Sequence, residues 1–162
     1  ERTPVVLRSL LQGLSDEWVT PNEGSGTWSA YDIVGHLIHG EKTDWIPRMQ
    51  IIRSGSDERK FEKFDRFAQF ENSKGKTMLQ LLNEFSQLRE INMNILRSAN
   101  ITDSHLGETG VHPAFGNVTL SQLLSTWVVH DLNHIAQILR VMAKQYKEAV
   151  GPWIAYLGIL NQ

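Results

Sequence analysis

Three capping boxes, each followed by apolar residues at helical spacing, constrain this chain more than any other feature of its sequence. In such a box the first side chain accepts from the backbone N–H three residues on, while the fourth reaches back, so two donors at a helix start are satisfied together. Thr77-Met78-Leu79-Gln80 opens a repeat of Leu81, Leu82, Phe85, Leu88, Ile91, Ile95 and Leu96, which predicts a helix to about Ala99. Thr119-Leu120-Ser121-Gln122 opens a second, which can run to about Lys147. Ser29-Ala30-Tyr31-Asp32 is a variant with Asp at the fourth position, and its helix should reach about Arg53. Pro47 lies inside it and predicts a kink or break near Trp45, because proline lacks the N–H and its ring strikes the carbonyl four residues back.

Two weaker signals bracket these helices. Thr3 can cap and Pro4 can occupy the first position of a short helix carrying Val5, Val6, Leu7, Leu10 and Leu11. Gly151-Pro152 can end the last long helix and open a short one through Leu160. Residues 20–28 read as a loop. Residues 55–75 read as a long connection with Phe61, Phe64, Phe67 and Phe70, holding a turn or two of helix. Residues 100–118, with Gly107, Gly110, Pro113 and Gly116, read as loop. No sustained period-two pattern and no internal repeat occurs, so the expected class is all-α: a four-helix bundle with a short C-terminal helix. The long connections allow crossovers in place of simple up-down-up-down order. A chain of 162 residues can bury one core without staples, so one domain over 1–162 is expected.

Composition narrows the function. Sixteen Lys and Arg against 18 Asp and Glu leave a formal charge of −2, without the positive surplus that nucleic-acid binding needs. No apolar run approaches the roughly 18 residues of a membrane span, and Glu1-Arg2-Thr3-Pro4 does not resemble a signal peptide, so the expected compartment is the cytoplasm. The absence of cysteine excludes a disulfide scaffold, a Cys nucleophile, a Cys-ligated zinc and an iron–sulfur cluster, leaving His, Asp and Glu as metal ligands. No phosphate-binding loop, dinucleotide fingerprint or nucleophile elbow is present.

The histidines are the chemical candidates. His130 and His134 stand four residues apart, so both rings lie on one helix face, at the border of the arc formed by Leu120, Leu123, Trp127, Ile138 and Val141. Such a pair can grip one cation, or it can be two rim histidines bonded to water or backbone. His130-Asp131-Leu132-Asn133-His134 also reads as a metalloprotease H-E-x-x-H variant, but Asp is a methylene short of the general-base Glu, which argues against proteolysis. A third ligand is harder to choose. The apolar arc Val34, Ile38, Trp45 and Ile52 points nearly opposite to His36, periodicity does not bury that residue, and the helical wheel does not separate it from His39.

Three phrases, Trp28-Ser29-Ala30-Tyr31-Asp32-Ile33-Val34-Gly35-His36-Leu37, His112-Pro113-Ala114-Phe115-Gly116-Asn117-Val118-Thr119 and Trp127 through Ile138, resemble the DinB-like superfamily over nearly the whole chain. The resemblance implies a four-helix bundle with a long crossover connection, holding a divalent metal, commonly nickel or zinc, through one histidine of helix two and an H-x-x-x-H pair of helix four. By position these are His36, His130 and His134, which leaves His39 at the surface. Three neutral imidazoles leave a coordination position open, as in catalytic sites. The resemblance further implies a metal-dependent enzyme acting on a small molecule, with an S-transferase or isomerase using a low-molecular-weight thiol such as bacillithiol or mycothiol as the leading reading. A metal-dependent hydrolase, a non-catalytic metal-binding or stress-response module and a bundle without metal chemistry are the alternatives. A homodimer paired through bundle faces is also implied.

Supporting roles follow from placement. Asp131 faces the apolar arc, so it either accepts the second N–H of a ligand histidine, His36 foremost, or pairs with an Arg or a Trp N–H. Gln137 follows His134 by three residues and can support that ring or touch substrate, with a solvated glutamine as the alternative. His112 can meet substrate if its loop covers the open end of the bundle, whereas His105 has no expected metal role. Trp28, Trp127 and Trp153 read as core or rim packing, and the phenylalanines of 61–70 as cover for a pocket or a partner surface.

Overall fold

All three capping boxes close as the sequence requires. The computed structural model describes residues 1–161; Gln162, the last residue of the expected domain, lies outside the described residues. Ser29 starts α3 (Ala30–Thr43), Thr77 starts α6 (Met78–Ser98) and Thr119 starts α7 (Leu120–Lys144), each with reciprocal bonds to the residue three positions on. The break expected at Pro47 falls at Asp44, between α3 and α4 (Trp45–Arg53). Residue 47 would donate to the carbonyl of residue 43, and proline removes that bond. The earlier elements are α1 (Thr3–Leu11) and a one-turn α2 (Asp16–Val19). A short α5 (Ala68–Asn72) supplies the helical turn expected in the 55–75 connection.

Several expectations are corrected. Thr3 is not the cap of α1; Arg2 is, and the Thr3 hydroxyl donates instead to Asp131 Oδ2 at 2.6 Å. Residues 100–118 are not all loop, since β1 (Thr109–His112) and β2 (Gly116–Thr119) pair antiparallel, with Thr109 opposite Thr119 and His112 opposite Gly116. Four-residue strands are too short for alternation to register in the sequence. α7 stops at Lys144, and the terminal helix is two 3₁₀ segments, Gly151–Tyr156 and Gly158–Leu160. Trp153 is exposed rather than packed.

The 55–75 connection is stitched to the hairpin. Phe61 N–H donates to Val111 O at 2.9 Å and Val111 N–H to Arg59 O at 2.7 Å. Gly110 makes this approach possible, for a Cβ there would lie 2.5 Å from the Phe61 ring. One apolar cluster joins Leu7, Val34, Ile38, Leu81, Phe85 and Ile138; another joins Trp45, Ile52, Phe61, Leu120, Leu123 and Trp127. Among these apolar side chains, α3 also buries His36 and Glu41, α6 Arg89 and Asn92, and α7 Asp131 and His134, and the chemistry lies with them. Among the described residues, no helix is long and apolar enough to cross a membrane.

Candidate metal centre

α3 and α7 pack against one another and bring three imidazoles to one point. His36 Nε2 is 3.2 Å from His130 Nε2, which is 3.2 Å from His134 Nε2. The spacing of four on α7 sets the second pair, as the sequence implied. The burial of His36, at 6% exposure, is what periodicity missed. α3 is enclosed on every side, with all of Ile33 to Ile38 buried, so a one-sided wheel does not describe it. α5 covers one of those sides, where a Cβ on Gly35 would meet Gln69 Cβ at 3.3 Å. His39 is half-buried, its ring 4.7 Å from Phe64, and it stays outside the cluster.

An aromatic collar surrounds the imidazoles. Trp28 lies 4.7 Å from His36 between ring centroids, Phe64 meets His36 edge-on at 5.3 Å and Trp45 meets His130 edge-on at 5.1 Å. Burial, reinforced by the neighbouring histidines, pushes the His36 imidazolium down to about 3. Burial, then His134, takes His130 to about 4; burial also lowers His134, opposed by its Gln137 bond. All three rings are therefore neutral near pH 7. His134 Nδ1–H donates to Gln137 Oε1 at 2.9 Å, which leaves the lone pair on Nε2 and places Gln137 behind the ring.

Those features test whether a cation fits. Two nitrogens each about 2.0–2.1 Å from one zinc ion at a tetrahedral angle stand about 3.3 Å apart, and two of the three pairs here match that spacing. Neutral imidazoles without a cation can share only a proton between neighbours, whereas one cation would engage every Nε2 lone pair together. The His36, His130 and His134 group thus fits a metal site.

Asp131 makes the other of its two expected pairings. Arg89 of α6 donates to it through Nη1 at 2.6 Å and Nη2 at 3.0 Å, and also reaches Glu41 Oε1 at 2.8 Å. Asn92 Nδ2 donates to Glu41 Oε2 at 2.9 Å, and Trp127 Nε1 to Glu41 Oε1 at 3.1 Å. Glu41, Arg89 and Asn92 escaped the sequence reading. A charged residue within an apolar repeat was the available signal, Arg89 one position after Leu88, but nothing in the sequence says which partner it meets.

A cavity of about 690 Å³ opens beside the histidines, with His112 and Phe115 at the hairpin end of its wall. His112 stacks on Phe115 at 4.5 Å, and its Nδ1 accepts from the Ala114 N–H at 3.1 Å. His105 is elsewhere, its Nδ1 accepting from the Thr102 N–H. Phe64 lines the cavity and Phe61 is in the core, while Phe67 and Phe70 are exposed.

The fold is a helical bundle with a short hairpin, and three histidines from two of its helices converge in a group that fits a metal ion. Residues 1–138 match the model of the DinB superfamily, and the chain belongs to that superfamily. Among solved structures it is similar to YfiT from Bacillus subtilis, described as a probable metal-dependent hydrolase with an unusual four-helix bundle topology, with a TM-score of 0.74 and 22% identity over 89% of this chain and 82% of that one. It is also similar to TT2238, a four-helix bundle protein, with a TM-score of 0.52 and 16% identity over 82% of this chain and 86% of that one. No curated protein matches.

Proposed function

We propose that this chain is a metal-dependent enzyme for a small-molecule substrate, with a divalent ion, zinc or nickel, held by His36, His130 and His134. The observation that carries this reading is the convergence of three neutral imidazoles, two buried and one half-buried, beside an open cavity. When bound there, the ion supplies Lewis acidity, polarising a substrate oxygen and lowering the pKa of a water or thiol ligand. Gln137 holds the His134 tautomer, the aromatic collar keeps the rings neutral and limits water, and the hairpin end carries His112 within reach of a bound molecule.

Hydrolysis is supported by the description of YfiT. Transfer to an external low-molecular-weight thiol is the same chemistry with a different nucleophile, and a chain without cysteine would need that thiol supplied. The proposed homodimer would use the outer face of α7, where Val128, Val129 and Leu132 are exposed, and sedimentation of the purified chain checks it.

The test is elemental mass spectrometry on untagged protein purified without added metal, beside His36→Ala, His130→Ala and His134→Ala. Near-stoichiometric metal, lost in all three variants, is expected; ester and amide hydrolysis is then assayed with and without bacillithiol and mycothiol. A wild type that stays metal-free after incubation with zinc and nickel would sink the enzyme reading. Bound metal without turnover on any substrate would favour a non-catalytic metal-binding module.

A further inference from the structure

The cavity beside the histidines is cationic in a chain that is not. Its charged lining residues are Asp44, Arg48, Lys63 and Arg66, three positive against one negative, whereas the chain carries a formal −2. Lys63 and Arg66 are exposed and make a solvated rim. Arg48 is different: it rises from the first turn of α4 and is only 8% exposed.

A guanidinium has five N–H donors and keeps its charge in a protein, so a buried one needs partners. Arg48 is short of them. Asp44 Oδ1 lies 2.8 Å from Nη2, but that oxygen accepts no hydrogen bond of acceptable geometry, so the contact is one of charge alone. Nη2 donates to Glu62 O at a long 3.4 Å, and among the described residues Nη1 and Nε bond to nothing. The Phe61 ring, 5.3 Å from Cζ, braces the guanidinium. Arg48, with these donors unpaired, stands in the wall of the cavity. Glu62 and Asp65, two acidic residues of the same connection, line a smaller adjoining cavity, which Asp44, Arg48 and Lys63 border as well.

We propose that the cavity selects a small organic anion, a carboxylate or phosphate monoester with a flat apolar body, received by Arg48 with Lys63 and Arg66 at the rim. The inference rests on the metal-site reading above for what the anion is presented to, but not for how it is held. A guanidinium fork meets two oxygens of a carboxylate or phosphate with parallel bonds, which a neutral isostere cannot reproduce. The body of the molecule lies against Phe64 and Phe115, leaving its reactive end toward the histidines. A volume of about 690 Å³ is in the range of small-molecule sites.

The test uses benzoate, phenyl phosphate and neutral benzamide as probes, titrated calorimetrically into the full chain. The two anions are expected to bind at least about ten-fold tighter than benzamide, and Arg48→Met to abolish that preference while metal content stays at the wild-type level. Lys63→Gln/Arg66→Gln, confined to the exposed rim, should weaken anion binding about three-fold and reduce its salt dependence. Equal affinity for benzoate and benzamide, or a preference that survives in Arg48→Met, would overturn the proposal. If near-ultraviolet circular dichroism shows Arg48→Met misfolded, the rim variant decides, and an unchanged preference there overturns it. A preference lost in His130→Ala/His134→Ala but intact in Arg48→Met would assign the anion to the metal and also overturn it. An Arg48-dependent preference in protein that never holds metal would refute the metal reading alone and leave the anion site standing.

Discussion

Two polar clusters interrupt the apolar core of this bundle, built from the same helices, and they resolve burial in opposite ways. α3 gives Glu41 to one and His36 to the other; α7 gives Asp131 to one and the adjacent His130 to the other. In the ionic layer all four carboxylate oxygens have donors: Arg89 and Trp127 on Glu41 Oε1, Asn92 on Oε2, Arg89 on Asp131 Oδ1, and Arg89 with Thr3 on Oδ2. In the histidine cluster the Nδ1 atoms of His36 and His130 are buried without partners, and the Nε2 atoms have chiefly one another. Arg89 Nε is the ionic layer's one polar atom left buried without a partner. A network whose carboxylates are all satisfied holds helices in register; a set of ring nitrogens left unsatisfied and aimed at one point is organised for something that arrives.

Breaking the ionic layer should have the largest effect. Arg89→Met strands two buried carboxylates, and a loss of about 3–5 kcal/mol in unfolding free energy is expected by urea denaturation. A loss below 1 kcal/mol would mean that the layer is replaceable packing. Loading the histidine cluster should work in the other direction. Zinc or nickel at about a hundred times its Kd should stabilise the chain by about 2.7 kcal/mol, reversibly with a chelator. His130→Ala/His134→Ala should show no such response, and without metal it should be no less stable than the metal-free parent. A variant much weaker than that parent would mean that the imidazoles serve packing.

Glu23 sharpens the comparison by placing the carboxylate–guanidinium pairing at the rim. It accepts from Arg140 Nε and Nη2, each at 2.8 Å, and lies 2.9 Å from Lys144 Nζ, tying the loop before α3 to the end of α7. The Arg140 hydrogen bond, working against burial, holds its carboxyl at about 2, below the ordinary 4.5. Because the folded pKa is depressed, this stabilisation is complete above pH 4.5 and is lost as the pH falls through about 2. Glu23→Gln should therefore cost about 1–2 kcal/mol at pH 7, with the difference from wild type shrinking as acid is added. A pH-independent difference would show that the pair acts by shape alone. The smallest change is expected from Gln137→Leu, which should leave folding intact and weaken metal affinity about ten-fold in competition with a chromogenic chelator. Unchanged affinity would make the 2.9 Å bond to His134 incidental.

The long helices were legible because their signals are local. A capping box is satisfied within four residues, and Pro47 breaks its helix through its own carbonyl contact. The i, i+4 histidine pair was legible for the same reason. His36 was reached only through resemblance to a family, since a wheel assumes one buried face and α3 is buried on every face from Ile33 to Ile38. The hairpin escaped because its four-residue strands are too short to show alternation, and its bonds to Arg59 and Phe61 join it to residues some fifty positions earlier in the chain. Arg48 gave no sign at all, being one basic residue among several until burial distinguished it.

The sequence by itself determined the helices, where they begin and where one of them breaks, because those outcomes rest on hydrogen bonds and sterics within a turn or two of backbone. It also determined that no cysteine of this chain can ligate a metal, since the chain contains none. Only the tertiary structure decided that Asp131 would meet Arg89 while its neighbour His130 met His36, because α-helical geometry turns consecutive side chains about 100° apart and leaves the choice of partner to whichever helix packs on each side.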